Sequence, residues 1–166
     1  MFSVAILTIS DKGSRGERVD LSGPEIDRLI ACIPARADFY EIVPDEEKII
    51  AGKLAEFADQ KKVDLILTTG GTGLSPRDVT PEATRRVLDR EIPGIAEAMR
   101  AAGLKITPFA MLSRAVAGIR CRSLIVNLPG SPQAVRENLE VLLPVLKHAL
   151  EKIQGDPAEC APLRNL

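Results

Sequence analysis

The chain has 166 residues, of which 45% are hydrophobic, so it is long enough for one domain with a sizeable core. Aromatic residues make up only 3% and the net charge is -1, which argues against a base-stacking or basic surface for nucleic acids. The three cysteines lack CxxC spacing, and no apolar run is long enough to cross a membrane. We therefore expect a single cytoplasmic domain without membrane or nucleic-acid partners.

The first predicted unit is a strand followed by a long loop and a helix. The apolar run from Ser3 to Ile9 predicts the strand. The loop from Ser10 to Leu21 is rich in glycine and charge, and long loops of this kind often carry binding residues. Ser22 and Glu25 fit a capping box that starts the helix.

A second strand is predicted from Ala37 to Val43, and Asp45 stands where it can cap the helix that follows. The apolar positions of that helix are expected to face inward: Ile49, Ile50, Leu54 and Phe57.

The central stretch runs from Val63 to Glu82. A buried strand, Val63 to Thr69, stops at Gly70-Gly71-Thr72-Gly73, whose backbone amides can converge on an anionic group. Thr80-Pro81 then predicts a helix with a hydroxyl cap and a first-turn proline. Arg77 and Asp78 lie in between, and they bring a phosphate-pairing cation and a metal-binding carboxylate to the same strand end.

The C-terminal half predicts a helix from Pro93 to Gly103, a strand from Ser123 to Leu128 and a long last helix capped by Ser131. Pro144 is expected to kink or restart that helix, which Gly155 ends. Asp156 to Leu166 is interpreted as a short tail after a domain of residues 1–155. Between Lys105 and Arg122 the pattern is weak, and we expect three residues there to join the core: Phe109, Met111 and Leu112.

Strands that alternate with helices predict a mostly parallel sheet covered by helices on both faces, in which ligands bind at the carboxyl ends of the strands. Four separate stretches are predicted to meet at that edge: Ser10-Asp11, Asp45, Gly70 to Asp78, and Asn127 to Ser131. This convergence is the main fold-level argument for a site.

The predicted site favours phosphoryl or nucleotidyl transfer. The chain has one histidine, His148, and lacks HExxH, the P-loop and a strand-linked GxGxxG, so triad, zinc and standard nucleotide-fold chemistries are disfavoured. Asp45 and Asp78 can share one Mg2+, and a phosphate nucleophile needs no side-chain base. Structural roles stay open: Asp45 and Ser131 as helix caps, Asp78 as a solvated loop charge and Asn127 as a turn residue.

Several of these motifs, taken together, resemble the MoaB/Mog family of molybdenum-cofactor biosynthesis proteins. The matching blocks occur in the same order along the chain: Val43 to Glu46, Thr68 to Gly73, Arg77 to Thr84, Leu112 to Ala115, Gly118 to Arg120 and Asn127 to Pro132. Asp11 and the block Asp20 to Pro24 also agree, and only Leu74 to Pro76 falls in a variable part of the pattern.

The resemblance implies a three-layer α/β/α sandwich, commonly a homotrimer, with molybdopterin adenylyltransferase activity. Molybdopterin and ATP would give adenylyl-molybdopterin and pyrophosphate with Mg2+, and a molybdenum-insertion protein would be a partner. Carried over by position, Asp45 and Asp78 are the catalytic, metal-binding pair. The substrate-binding residues implied or predicted are Ser10, Asp11, Gly70, Gly71, Thr72, Gly73, Ser113, Asn127, Pro129, Gly130 and Ser131.

Two other hypotheses are compatible with the glycine loop. One is a non-catalytic molybdopterin carrier or scaffold of the same pathway. The other is a pyrophosphatase-like domain that acts on dinucleotides, against which the blocks around Ser113 and Asn127 argue.

Overall fold

The computed structural model of the protein describes residues 1–157. The strands are β1 (Phe2–Ile9), β2 (Ala35–Val43), β3 (Leu65–Thr69), β4 (Arg90–Glu91), β5 (Ala117–Arg120) and β6 (Ser123–Leu128). The α-helices are α1 (Asp11–Ser14), α2 (Ser22–Ile30), α3 (Glu47–Ala55), α4 (Thr80–Val87), α5 (Pro93–Gly103) and α6 (Pro132–Ile153). A π-helical segment, Glu56–Gln60, extends α3, and a 3-10 helix spans Pro108–Leu112.

The six strands form one mostly parallel sheet in the order β2-β1-β3-β6-β5-β4. The first four are mutually parallel, so their carboxyl ends lie at the same edge. β5 and β4 continue the sheet in antiparallel fashion. The parallel part confirms the predicted architecture. Neither antiparallel strand was predicted: β5 lies in the segment in which the sequence pattern was weak, and β4 has only two residues.

Two hydrophobic cores, one on each face of the sheet, make the domain a three-layer sandwich. Alternate residues of β1 point to opposite faces: Val4 and Ile6 pack with α2, α5 and α6, whereas Ala5 and Leu7 pack with α3 and α4. Both cores are almost entirely aliphatic, as the scarcity of aromatic residues predicts.

Some core predictions are wrong. Ile50, Leu54 and Phe57 are buried as expected, but Ile49 is 44% exposed and lies on the outer face of α3. The side chains of Phe109, Met111 and Leu112 are also exposed, because the 3-10 helix that carries them lies outside both cores.

Helix α6 runs without interruption through Pro144, so the predicted restart is wrong. Its end agrees with the prediction: Gly155 has a φ of +90°, a backbone conformation that suits glycine after a helix. The predicted tail lies outside the described residues from position 158 onward. None of the helices within residues 1–157 is both long enough and apolar enough for a membrane span.

Candidate active site

A cavity of about 610 Å3 opens at the carboxyl ends of the parallel strands. Its walls include the ends of β1 and β3 and the turns that follow β2, β3 and β6. The predicted site residues that line it are Ser10, Asp45, Gly70, Gly71, Asp78, Gly130 and Ser131. The convergence predicted from four separate stretches is therefore present in the fold, as parallel strand ends dictate.

Gly70 and Gly71 form a turn that other residues could not adopt without strain. Their φ angles are +99° and +65°. A Cβ on Gly70 would lie 2.3 Å from the Ile9 carbonyl oxygen, and one on Gly71 would lie 2.3 Å from Thr80 Oγ1. The two glycines let the chain pass close to β1 and to the start of α4, and this leaves the cavity floor bare.

Thr80 fixes this turn rather than capping its own helix. Its hydroxyl donates to the Gly70 carbonyl oxygen at 2.9 Å, and its amide donates to the Gly71 carbonyl oxygen at 3.1 Å. The predicted role of Thr80 as a hydroxyl cap is therefore wrong, although Pro81 does occupy the first turn of α4.

Asp45 and Asp78 both line the cavity, and their carboxylates are held in the same way. Asp45 Oδ2 accepts from the Asp11 amide at 2.8 Å, and Asp78 Oδ2 accepts from the Ser75 amide at 2.8 Å. Within residues 1–157, Oδ1 of each makes no hydrogen bond. Asp45 does not cap α3, because its carboxylate is held by the end of β1 instead.

The electrostatics of Asp45 reflect its crowded position. Burial raises the pKa of its carboxyl group, and the charges of Asp11 and Asp78 raise it further, against the Asp11 amide hydrogen bond and the charge of Arg77. A positive ion placed between Asp45 and Asp78 would relieve this repulsion.

Arg77 is engaged by carboxylates. Its guanidinium donates to Asp11 through Nε at 3.1 Å and Nη2 at 2.9 Å, and Nη2 also donates to Glu46 at 3.1 Å. The hydrogen bonds from Arg77 and from the Asp45 amide lower the pKa of Asp11. Asp11 does not line the cavity but holds Arg77 and Asp45, and its predicted substrate contact stays a prediction.

Arg114 holds the second half of the glycine loop. Its side chain donates to the Gly73 carbonyl oxygen at 2.7 Å, to the Asp78 carbonyl oxygen at 2.5 Å and to the Glu82 carboxylate. Its amide donates to the Thr72 carbonyl oxygen at 3.0 Å. Thr72 and Gly73 therefore lie behind the cavity wall, where they face Arg114 rather than the cavity.

The turn after β6 enters the cavity at the start of the longest helix. Ser131 caps α6 as predicted, since its hydroxyl accepts from the Ala134 amide at 3.2 Å. The Ser22 hydroxyl donates to the Gly130 carbonyl oxygen at 2.8 Å, so Ser22 does not form the predicted capping box. Pro129 does not line the cavity, and its carbonyl oxygen accepts from the Thr69 hydroxyl at 2.7 Å.

Asn127 has a structural role, and its predicted ligand contact stays a prediction. The side chain is fully buried, its amide nitrogen donates to Thr68 Oγ1 and Thr84 Oγ1, and its oxygen accepts from the Val116 amide. Both hydrogens of the side-chain amide are therefore used within the fold. Ser113 is likewise absent from the cavity wall, and its hydroxyl accepts from the Ala115 amide at 3.4 Å.

The chain is similar to known proteins over most of its length. Residues 5–148 match the family model described as "Probable molybdopterin binding domain" (MoCF_biosynth). The chain belongs to this family. A molybdopterin adenylyltransferase of Helicobacter pylori (strain ATCC 700392 / 26695) is 43% identical over 155 residues, which cover 92% of this chain and 88% of that protein.

Two further relatives extend the comparison. Gephyrin of Dictyostelium discoideum is 46% identical over 96% of this chain, but the chain spans only 23% of gephyrin's length. The solved structure of the molybdopterin biosynthesis enzyme MoaB from Thermus thermophilus is 57% identical, with a TM-score of 0.90 over 96% of this chain and all of that one. The molybdopterin-binding family and its fold are thus shown for nearly the whole chain.

One wall of the cavity in this family member was not predicted as a site. Four consecutive loop residues, Arg18 to Leu21, line it together with Ser22. We call Arg18 to Leu21 the strap. Asp20 anchors it, because its carboxylate accepts from Thr8 Oγ1 at 2.5 Å, from Tyr40 Oη at 2.7 Å and from the Ser22 amide at 2.8 Å. The available signals were the length of the loop and the family block from Asp20 to Pro24, although neither assigned a ligand contact to these residues.

Proposed function

We propose that the chain is a magnesium-dependent molybdopterin adenylyltransferase. The observation that carries the proposal is the pair Asp45 and Asp78, each with one uncommitted carboxylate oxygen, beside a glycine turn at the ends of parallel strands. The name of the Helicobacter pylori relative supports the same activity.

The donor set fits Mg2+. Magnesium takes oxygen ligands and commonly uses only one or two protein carboxylates together with substrate phosphates. Asp45 Oδ1 and Asp78 Oδ1 are the atoms we assign to it. No group of three or more acidic, histidine or cysteine side chains within residues 1–157 forms a denser metal cluster. When bound, the ion would neutralise charge on the substrate phosphates.

The reaction that fits is an in-line transfer of AMP. An oxygen of the terminal phosphate of molybdopterin attacks the α-phosphorus of ATP, the bond to the bridging oxygen breaks, and pyrophosphate leaves. The attacking phosphate is already largely ionised at neutral pH, so no side chain has to remove a proton. The protein positions the two substrates: Gly70 and Gly71 keep the floor open, and the positive end of the α6 dipole at Ser131 favours an anion.

The test is ATP-dependent pyrophosphate release by the purified protein with molybdopterin and Mg2+. Asp78→Asn is expected to keep the fold and lose at least about a hundredfold in turnover, as when a charge-stabilising group is removed from a transition state. Asp27→Asn, at an exposed position of α2, is the matched control. Tight molybdopterin binding without any ATP consumption by the wild-type protein would favour the carrier hypothesis instead.

We further propose that the chain forms a homotrimer and passes its product to a molybdenum-insertion protein. The exposed apolar segment from Leu104 to Leu112 supports self-association: Leu104, Ile106, Phe109 and Met111 are 47%, 59%, 74% and 61% exposed. Sedimentation equilibrium of the wild type and of Phe109→Glu tests the first point, with a trimer expected for the wild type and smaller species for the variant.

A further inference from the structure

We infer that Arg18 is the cation of this cavity that pairs with a substrate phosphate. The inference rests on the proposed function, which requires two phosphate-bearing substrates in a cavity whose walls carry three carboxylates, Asp20, Asp45 and Asp78. These carboxylates repel an anionic ligand unless a cation lies close to it. Arg18 is the one basic side chain in the described wall of the cavity.

Arg77, which sequence reasoning placed in this role, is already committed. Its guanidinium makes three hydrogen bonds to Asp11 and Glu46, and it is absent from the cavity wall. Arg114 is committed in the same way to Gly73, Asp78 and Glu82. Recruiting either arginine to a phosphate would leave its carboxylate partners unpaired.

Arg18, in contrast, is exposed and makes no ion pair or hydrogen bond with any residue in the described range 1–157. Its backbone position is nevertheless defined, because Asp20, two residues further on, is bonded to β1 and β2 through Thr8 and Tyr40. A guanidinium on an anchored strap can reach a phosphate without breaking existing contacts. Its planar fork also suits two phosphate oxygens at once.

The neighbours of Arg18 fit a ligand that bears a ring as well as a phosphate. Val19 and Leu21 line the same cavity and are 79% and 65% exposed. Both proposed substrates carry a heterocyclic ring system, so the shared chemistry is a phosphate attached to a ring system. The two sources are ATP and molybdopterin.

The experiment measures equilibrium dissociation constants for ATP and for molybdopterin, each in the absence of the other, so that no turnover occurs. The variants are Arg18→Gln and Arg18→Lys. The matched control is Arg15→Gln, because Arg15 lies on the same loop, is paired with Glu17 and does not line the cavity. Both constants are measured at low and at high salt.

Arg18→Gln is expected to weaken one ligand about tenfold, the effect of one charge-assisted hydrogen bond at a partly exposed site. The ligand affected identifies the phosphate that Arg18 contacts. Arg18→Lys should retain much of the affinity, Arg15→Gln should match the wild type, and the difference should shrink at high salt.

Two failures are distinguishable. Unchanged binding of both ligands by Arg18→Gln, in a protein whose wild type releases pyrophosphate, overturns the assignment of Arg18 alone. A wild type that binds neither ligand and releases no pyrophosphate overturns the proposed function and the inference together.

Discussion

Asp11 and Asp45 are joined by two hydrogen bonds, each from the backbone amide of one residue to the side-chain carboxylate of the other. The Asp11 amide donates to Asp45 Oδ2 at 2.8 Å, and the Asp45 amide donates to Asp11 Oδ1 at 3.0 Å. The reciprocal bonds join the chain just after β1 to the chain just after β2, where Asp45 lines the cavity. Asp11 therefore acts as a positioning residue for Asp45.

The first prediction concerns this positioning. Asp11→Ala keeps the amide that bonds Asp45 Oδ2, but it removes the acceptor for the Asp45 amide and frees Arg77, so the backbone at Asp45 is held less firmly. We expect kcat for pyrophosphate release to fall about tenfold while the KM for ATP changes less than about twofold, as when an interaction acts mainly in the transition state. Steady-state kinetics measure both constants. A purely structural role would instead lower the unfolding midpoint and leave kcat per folded molecule intact.

Arg114 provides the second prediction, because it binds the backbone on both sides of the loop that carries Asp78. Arg114→Ala should lower kcat by at least about tenfold, and Arg114→Lys should restore only part of it, since lysine cannot bond Gly73, Asp78 and Glu82 with one planar group. Arg36→Ala, an exposed arginine paired with Asp38 on β2, is the control. Equal kcat in Arg114→Ala and the wild type would contradict the role of Arg114 in holding this loop.

A third prediction tests the structural role of the Asn127 side chain. Asn127→Ala leaves the Val116 amide and the Thr68 and Thr84 hydroxyls without their buried partner. We expect the free energy of unfolding to fall by about 3 kcal/mol, the usual cost of buried unsatisfied groups, with little change in the KM values of the folded fraction. Urea denaturation gives the first quantity. A large rise in KM with unchanged stability would return Asn127 to the substrate site.

The fourth prediction uses pH. Glu25 accepts from Arg28 at 2.8 Å and from Arg136 at 2.7 Å, so it joins α2 to α6, and these two guanidinium groups lower its pKa to about 2. A lowered pKa stabilises the folded state above the usual glutamate range, and this contribution is lost as the pH falls toward 2.

Glu25→Gln should therefore unfold at a lower temperature than the wild type at pH 7, and the difference should vanish near pH 2. Thermal unfolding of both proteins across this range measures the difference, in which effects common to both cancel. A constant gap at every pH would mean that Glu25 acts through packing rather than charge.

The sequence was sufficient for the four parallel strands and for the glycine turn, because both depend on local properties. Apolar runs that stop at glycine, proline or polar residues predicted β1, β3 and β6, and the strand ends then had to meet at one edge. The positive φ angles of Gly70 and Gly71 follow from residue type in the same way.

Helix capping was less predictable. Ser22, Asp45 and Thr80 each stand before an apolar helical pattern, yet the side chain of each bonds to a distant strand end: Ser22 to Gly130, Asp45 to Asp11 and Thr80 to Gly70. Strand ends have free backbone groups that compete for the same side chains, and a local pattern cannot reveal them. Only Ser131 caps as predicted.

The strap from Arg18 to Leu21 escaped prediction for a similar reason. Its place on the cavity wall depends on Asp20 reaching Thr8 and Tyr40, which lie 12 and 20 positions away in sequence. The prediction that Phe109 and Met111 join the core also failed, because apolar character alone does not determine whether a side chain is buried.

The central claim is that Asp45 and Asp78 act as one unit on a shared ion. A double-mutant cycle tests it most directly, with kcat/KM for pyrophosphate release measured in Asp45→Asn, Asp78→Asn and the double variant. If the two carboxylates share one ion, the double variant should be about as slow as the slower single variant, because either change already disables the pair. Losses that multiply in the double variant, or full activity in either single variant, would contradict the shared site.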